Sequence, residues 1–534
     1  MKENKYNTLV IGAGIAGLTS AAYLARDGQK VMLIEKNNET GGLVNSFLRD
    51  GFVFDAGVRA LLDAGIVMPM FEELGIKLKT VKSPVSIGVS DQIIDIECVN
   101  DLEAYRKLLI NLYPDSQDDI DKILKSIRKI MKHMDVLYGI ENPVFKDIPG
   151  DRRFLFGKLL PWLPRFALTV GKINRMNMPV ENYLEDLVKN PSLRDIISQH
   201  FFKNTPTFFA MSYFSLYLDY FYPLGGVKKL ADAIHTKVHE YGGVIKTGTH
   251  ITEVNTFNCY VRDSKGNIYY YDNLVWSADL KTFYEITDTE GMSPEEVNKF
   301  KDTGNIMLEH RGGDSVFTIF LEVDYPPEIF SEIAHGHFFY TPSKEGLGKT
   351  HRQELNKLLT DFDKIDRKDI LQWLDKFTAL NTYEISLPCL KDPNLAPEGK
   401  TGLIISLLAE YHLFEKIRDA GWYDEFRVEF ENRVINVIAE SVYPMLKDKI
   451  IKHFSFSPLS IKDRVSSSEG AIVGWSFEKP VPVVNKIQIS DRSVFTPIHN
   501  IYQAGQWVYS PAGVPMSILT GRLAADKIIK KKKS

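Results

Sequence analysis

The sequence predicts an α/β fold into which a mixed α+β region is inserted, and three observations lead to this prediction. Residues 8–11 and 31–34 are short apolar segments with the composition of buried strands. The Ala- and Leu-rich segment between them ends at Gly28 and predicts a helix. The chain has 534 residues, which is more than one hydrophobic core usually supports, so two domains are expected.

The turn after the first strand contains Gly12, Gly14 and Gly17 in the spacing G-x-G-x-x-G, and Glu35 closes the second strand. Gly12 permits the turn, Gly14 lets the backbone approach a pyrophosphate, and Gly17 lets the helix pack closely on the strand. The helix N-terminus offers N–H groups to phosphates, and Glu35 would accept hydrogen bonds from ribose hydroxyls. Because these parts occur in order within about thirty residues, they predict a dinucleotide site. The acid at position 35 disfavours NADP there.

Composition and charge exclude several classes of protein. The net charge of −4 argues against general nucleic-acid binding, because no basic excess is available to neutralise phosphates. Three cysteines lie far apart and match no metal or redox spacing, which favours a reducing, cytoplasmic location. The first strand follows the N-terminus directly, so no signal peptide is expected. No segment reaches the about 18 apolar residues that a membrane span needs.

Four further segments extend the pattern along the chain. The segment 41–57 carries Gly41-Gly42 and ends in "FDAG", and 222–256 has two glycine pairs flanking an amphipathic helix. Residues 273–280 predict a strand, and 500–528 predict a strand, a glycine-containing loop and a helix. This set, in this order, resembles the phytoene desaturase and carotenoid isomerase family of FAD-dependent oxidoreductases. Retinol saturases and, more distantly, amine oxidases share the pattern.

The resemblance implies FAD as the cofactor and assigns residues to its binding. The first glycine motif and Glu35 would hold the ADP half, the second glycine pair and the C-terminal loop would lie by the pyrophosphate and flavin, and the backbone of Val254 would meet the adenine. The expected cofactor-binding residues are Gly12, Gly14, Ile15, Ala16, Gly17, Glu35, Lys36, Gly42, Leu43, Val254, Gly505, Gln506, Val514, Pro515 and Met516. Leu43 replaces the arginine usual in the family, and "YSPAGVP" departs from its final motif.

The same resemblance implies a domain organisation. A Rossmann-like FAD-binding domain of the two-dinucleotide-binding-domain flavoprotein type would be assembled from residues 1–75, 222–290 and 465–534. A mixed α+β substrate domain would comprise residues 76–221 and 291–464. Residues 58–221 are expected to be largely helical, and residues 300–460 to mix helices with strands such as "SVFTIFLEV" and "GLIISLLAEY".

An aromatic-rich segment, residues 201–226, suggests where an apolar small-molecule substrate would bind. Core packing explains any single ring, but the group as a whole favours a tunnel for a long apolar molecule. Its aromatic residues are Phe208, Phe209, Tyr213, Phe214, Tyr217, Tyr220, Phe221 and Tyr222. The core and the tunnel interpretations both stay open at this point.

A basic and aromatic segment, about residues 150–176, could contact a membrane surface. It mixes six basic residues with Phe, Leu and Trp, as in segments that lie among lipid headgroups. Pro161 and Pro164 are expected to break any long helix there. The terminal "KKKK", residues 530–533, would add attraction to anionic lipid. The alternative is a lid packed on the protein with an ordinary solvated tail.

The predicted chemistry is hydride exchange between flavin and the carbon–carbon double bonds of a polyene. Desaturation, isomerisation and saturation stay open, as does the electron donor or acceptor. The catalytic residues are unknown: Glu469 and Asp219 are guesses, and the His-x-His at 335–337 has no apparent third metal ligand. One alternative is a flavin amine oxidase, kept open by Trp507 and Tyr509. Another is a non-catalytic lipid carrier or escort protein on the same fold.

Overall fold

A computed structural model gives the fold of residues 4–146, 148 and 150–533. Its strands are β1 Lys5–Ile11, β2 Val31–Ile34, β3 Ser46–Arg49, β4 Phe52–Asp55, β5 Leu61–Leu62, β6 Thr80–Lys82, β7 Val85–Val89, β8 Gln92–Ile96, β9 Tyr220–Pro223, β10 Val244–Lys246, β11 Ile251–Asn255, β12 Tyr260–Asp263, β13 Ile268–Trp276, β14 Thr287–Asp288, β15 Ser315–Val323, β16 His337–Thr341, β17 Tyr383–Ser386, β18 Thr401–Ala409, β19 Ile450–Phe456 and β20 Ile501–Gln503.

Its α-helices are α1 Ile15–Arg26, α2 Val67–Leu74, α3 Leu102–Leu112, α4 Gln117–Leu137, α5 Arg152–Phe154, α6 Leu160–Ile173, α7 Val180–Leu187, α8 Pro191–Ser198, α9 Thr207–Met211, α10 Tyr213–Leu218, α11 Lys228–Glu240, α12 Leu280–Ile286, α13 Pro294–Glu309, α14 Pro327–Ser331, α15 Leu355–Thr360, α16 Arg367–Leu380, α17 Pro388–Lys391, α18 Tyr411–Asp419, α19 Tyr423–Ser441, α20 Pro458–Val465 and α21 Val514–Lys533.

The first sheet has eight strands in the order β10-β2-β1-β13-β12-β11-β14, with β20 also paired to β13. Strands β10, β2, β1, β13 and β20 are parallel, which confirms the predicted α/β fold. Helix α1 packs against α11 and α21, and its residues from Ile15 to Ala25 are buried. The parallel strands place their carboxyl ends on one edge, where ligands of open α/β sheets bind.

The second sheet has seven strands in the order β19-β15-β18-β17-β16-β7-β8 and is antiparallel except between β16 and β7. Strands β15 and β18 are the two predicted from the sequence. Residues 58–221 are largely helical, as expected, but they also contain strands such as β7 and β8, which the sequence analysis did not identify. Strand β7 is only five residues long and contains Ser86 and Gly88, so its sequence does not distinguish a buried strand from a helix segment.

The segment with two prolines differs from its sequence prediction. Helix α5 continues through a π-helical turn, Leu155–Leu159, into α6, so the prolines do not interrupt the helical run. Pro161 lies in the first turn of α6, and Pro164 lies within that helix. The π-helical turn just before them is a common way to absorb a disturbed hydrogen-bond ladder. Among the residues that the structure describes, no helix is long and apolar enough to cross a membrane.

Candidate functional site

A cavity of about 1010 Å³ lies between the two sheets. On one side it meets the carboxyl ends of β1, β2 and β13, at residues such as Gly12, Glu35 and Ser277. On the other side it meets the second sheet, at residues such as His337 and Glu384. Its volume matches the largest small-molecule sites, which suits an extended cofactor together with a substrate.

The structure brings the predicted cofactor residues together, with two exceptions. All of them except Gly17 and Val254 line the cavity. A Cβ atom at Gly17 would lie 1.9 Å from the carbonyl oxygen of Gly12, so Gly17 permits the close packing of helix on strand. Val254 is fully buried in β11, where it pairs with β12 and β14. Residues 249–251, just before it in the chain, reach the cavity instead.

Glycine backbone forms the part of the cavity wall that would face the cofactor. Gly12 has φ +94°, and a Cβ there would lie 2.9 Å from the carbonyl oxygen of Ser277. Gly41 donates its N–H to the carbonyl of Ala13 at 2.8 Å, which joins the two glycine loops. A Cβ at Gly14 would meet no atom within 4 Å. The wall is therefore shaped by backbone, with free space beside Gly14 for a phosphate group.

Two helices begin at this cavity. Gly14 is the N-cap of α1 and has no side chain to satisfy the first N–H groups of that helix. Helix α21 begins at Val514, and its first residues also line the cavity. Helix N-termini stabilise negative charge, so the two ends suit the phosphates and the flavin respectively.

Glu35 fixes the loop after β1 and the loop after β2 through hydrogen bonds. Its Oε2 accepts a hydrogen bond from the backbone N–H of Ala13 at 2.7 Å, and its Oε1 accepts one from Asn37 at 2.9 Å. The side chain is 9% exposed. A carboxylate has about four acceptor positions, so two remain for the hydroxyls of a ribose. The chain's own residues therefore fit the ADP half of FAD.

The parallel sheet, the glycine wall and the acid at the end of β2 define a dinucleotide-binding flavoprotein. A family model described as "Flavin containing amine oxidoreductase" matches residues 15–529. The chain therefore belongs to the flavin-containing amine oxidoreductase family, and it is an FAD-dependent oxidoreductase.

Curated relatives match over nearly the whole chain. The 4,4'-diapolycopene oxygenase of Methylomonas sp is 24% identical and covers 99% of both chains. The carotenoid 3,4-desaturase of Haloarcula japonica is 22% identical and covers 97% of both. The all-trans-retinol 13,14-reductase of Danio rerio is 22% identical over 98% of this chain and 86% of that protein.

Solved structures agree on the fold. Cyclohexylamine oxidase from Brevibacterium oxydans has a TM-score of 0.57 at 10% identity, covering 99% of this chain and 100% of that one. An oxidoreductase from Methanosarcina mazei has a TM-score of 0.54 at 17% identity, covering 97% and 99%. At these identities the likeness concerns the fold alone.

The aromatic segment divides into two groups. Phe208, Phe209, Tyr213 and Tyr220 line the cavity, and the other four rings of the predicted set do not. Those four, Phe214, Tyr217, Phe221 and Tyr222, are buried in the protein's core. The core interpretation is correct for these four rings, and the other four lie on the cavity wall, where a substrate tunnel would require them. Phe202 and Phe339 add to the aromatic part of the cavity wall.

The candidate catalytic groups from the sequence do not reach the cavity. Glu469 forms ion pairs with Arg311 at 3.2 Å and Lys281 at 3.6 Å. The Asp219 carboxylate accepts a hydrogen bond from the backbone N–H of Ala64 at 2.9 Å. Neither residue lines the cavity. Both carboxylates therefore have partners within the protein, and these partners account for their positions without a catalytic role.

A cluster of three charged residues that sequence analysis missed, Arg59, Glu384 and Lys391, lies where the second sheet meets the cavity, next to His337 of the His-x-His pair. Arg59 is 3% exposed and donates from Nη2 to the Ser406 hydroxyl at 2.9 Å. The Lys391 ammonium donates to the Arg59 carbonyl at 2.8 Å, and burial lowers its pKa to about 8. A charged residue between two large apolar residues of a strand, such as Glu384 between Tyr383 and Ile385, is the one sequence signal that indicates such a site.

The His337 imidazole lies 3.0 Å from the carboxylate of Glu384. Burial lowers the pKa of His337, so the neutral ring donates from Nε2. Burial alone would raise the pKa of Glu384, but the bond from His337 and the charges of Arg59 and Lys391 outweigh it and lower that pKa. Glu384 is therefore an anion within a cluster that balances its charge.

Proposed function

We propose that this FAD-dependent oxidoreductase acts on the carbon–carbon double bonds of a long apolar polyene. The observation that carries the proposal is that aromatic rings line the same cavity as the glycine-rich cofactor wall. We call this group of rings the aromatic arm: Phe202, Phe208, Phe209, Tyr213, Tyr220 and Phe339. Rings such as Phe208, Tyr213 and Phe339 offer flat, apolar surfaces to a conjugated chain. The names of the relatives, a diapolycopene oxygenase, a carotenoid desaturase and a retinol reductase, support the same substrate class.

In the proposed reaction, FAD and the protein's side chains have different roles. Bound FAD supplies the ability to accept or release a hydride, which protein side chains lack. The chain's own residues bind and orient the polyene, and the aromatic rings that contact it exclude water from the reacting carbons. Desaturation, isomerisation and saturation all remain compatible with these residues.

An amine substrate is less well supported by the wall of the cavity. Trp507 and Tyr509 line the cavity but are only 4% and 6% exposed. The Trp507 ring packs edge-on against Trp475, with centroids 4.9 Å apart. Two rings held in the core in this way do not present the paired open faces that an ammonium group would need.

The direct test is an anaerobic absorption spectrum of the holoprotein before and after mixing with liposomes that carry phytoene or poly-cis lycopene. Loss of the oxidised flavin band near ~450 nm would show hydride transfer from the polyene. Conversion of the polyene only after chemical reduction of the flavin would indicate isomerisation or saturation. Liposomes without polyene are the control. If no polyene changes in either redox state, the proposed function is wrong.

We also propose that the helical segment 150–176 contacts an anionic membrane surface at the cytoplasmic side. Four of its apolar side chains project into solvent: Phe156 and Leu168 are 64% and 71% exposed, and Leu160 and Leu163 are 45% and 44% exposed. Six basic residues and no acid lie between positions 152 and 175. Farther along α6, Val170 and Ile173 line the cavity. One helix would thus connect the lipid phase with the substrate site.

Replacing Phe156 and Leu168 with aspartate is expected to weaken binding to anionic liposomes by about tenfold or more, because two apolar side chains no longer enter the membrane and two negative charges are added beside anionic lipid. Co-sedimentation of the holoprotein with phosphatidylserine liposomes measures the effect. The matched control replaces Leu48 and Phe257, which are 73% and 66% exposed and lie elsewhere. Equal losses for the two pairs of substitutions would contradict this orientation of the protein on the membrane.

A further inference from the structure

The second sheet carries a polar strip within the otherwise apolar part of the cavity. Thr318, Ser406 and Glu384 are direct cross-strand neighbours on β15, β18 and β17. The hydroxyls of Thr318 and Ser406 lie 2.9 Å apart, and Arg59 donates to the latter. A hydrocarbon needs none of these groups, and burying polar groups costs free energy unless they are paired. The two hydroxyls and Arg59 are paired with one another, so the group of the strip that is left to face a ligand is Glu384.

Glu384 has acceptor capacity that the protein does not use. Among the described residues only His337 forms a hydrogen bond with it, through Oε1. Its side chain is 34% exposed, and Glu384 itself is part of the cavity wall. An ionised carboxylate only accepts hydrogen bonds. The ligand group facing Glu384 must therefore be a donor.

The charges around Glu384 decide which kind of donor fits. Asp55 and Glu384 face two cations, Arg59 and Lys391, within this buried cluster. An ammonium ligand would add an unbalanced charge, which a buried site disfavours. A hydroxyl adds none, donates to the carboxylate, and can accept from Arg59 or Ser406.

The strip is also adjacent to the aromatic arm. The Tyr220 ring stacks on His337, with centroids 5.4 Å apart and planes at 7°. Phe339 lies opposite Glu384 in the sheet, and both Phe339 and Tyr220 line the cavity. A conjugated chain lying along these rings would place its end at the carboxylate.

We infer that Glu384, with Arg59 and Ser406, anchors a hydroxyl group on the polyene, so that the substrate is an alcohol rather than a pure hydrocarbon. This inference rests on the proposed polyene function. Glu384 and Arg59 act as specificity-determining residues: they select the end group and set how far the conjugated chain reaches toward the flavin.

The test compares binding of retinol, retinyl methyl ether and retinylamine to the holoprotein, measured by quenching of tryptophan fluorescence. Retinol is expected to bind about tenfold tighter than the ether, which lacks the O–H donor, because hydrogen bonds to charged groups are the strong ones. Glu384→Gln should reduce that preference to about threefold or less. Glu478→Gln should keep it, because Glu478 lines the cavity but already pairs with Lys203 at 2.7 Å.

The outcomes separate this inference from the proposed function. Equal binding of retinol and its ether by the wild-type protein would overturn the hydroxyl anchor and leave the polyene function standing. Tightest binding of retinylamine would overturn it in favour of a cationic ligand. If none of the three binds to protein that retains FAD, the hydroxyl anchor is wrong, and the liposome assay with phytoene and poly-cis lycopene decides the polyene function separately. The wild-type comparison is decisive even if Glu384→Gln does not fold.

Discussion

Replacing Gly14 with valine is expected to abolish FAD binding while leaving the fold intact. Gly14 has φ −67° and ψ 177°, a conformation that any L-residue adopts, so valine introduces no backbone strain. The added Cβ would meet no protein atom within 4 Å, because the space beside it belongs to the cavity. A branched side chain there would occupy the position of the pyrophosphate and hold it away from the N-terminus of α1.

The measurement is the flavin absorbance of purified protein, with the Kd for FAD from titration of the apoprotein. We expect a loss of affinity of 100-fold or more, on the order of the about 3 kcal/mol that several lost charge-assisted hydrogen bonds represent. Gly171→Val is the matched control, since a Cβ at Gly171 also meets nothing within 4 Å but lies on the exposed side of α6. Normal FAD content in Gly14→Val protein would place the pyrophosphate elsewhere.

The cofactor half of the site was predictable because its signal is local. Gly12, Gly14, Gly17 and Glu35 lie within one βαβ unit, and each has a physical role at a fixed spacing. Val254 shows the limit of this reasoning. Which residue of this part of the chain reaches the cavity depends on how β11 pairs with β12 and β14, and spacing along the chain does not specify that pairing.

The substrate half was less predictable because its residues come together from distant segments. Arg59 and Ser406 are hydrogen-bonded although they are 347 positions apart in the chain. The strands β7 and β8 that complete the second sheet were hidden in a region that looked helical. The aromatic segment gave a correct general indication, but only the fold decides which rings face the cavity and which face the core. Long-range pairing creates this part of the site, and no local pattern encodes it.

Replacing Asp55 with alanine is expected to destabilise the protein by about 3–5 kcal/mol, because a fully buried acceptor of three hydrogen bonds is lost. The carboxylate accepts from the Ser46 hydroxyl at 2.7 Å, the Tyr222 hydroxyl at 2.8 Å and the Val227 N–H at 3.1 Å. It thereby ties the hairpin of β3 and β4 to β9 and the start of α11. Each donor would remain buried without its acceptor.

The Asp55→Ala substitution should also weaken the binding of FAD. Gly57 follows two positions after Asp55, and a Cβ there would lie 1.9 Å from the Leu43 carbonyl oxygen, so the two cavity loops touch. A hairpin released at Asp55 no longer holds Leu43 and Gly57 at the cavity wall. Urea denaturation followed by circular dichroism measures the stability, and flavin fluorescence measures release of FAD at lower urea concentrations than in the wild type.

Asp95→Ala is the matched control for this prediction. Asp95 accepts from Ser86 at 2.5 Å across the hairpin of β7 and β8, the same serine–aspartate pairing nine positions apart, but its side chain is 54% exposed. Water can replace the lost carboxylate there, so we expect a cost of about 1 kcal/mol or less. Comparable effects of the two substitutions would mean that burial of Asp55 does not fix the hairpin. A stable Asp55→Ala protein with normal FAD content would assign the positioning of Gly57 to the surrounding backbone instead.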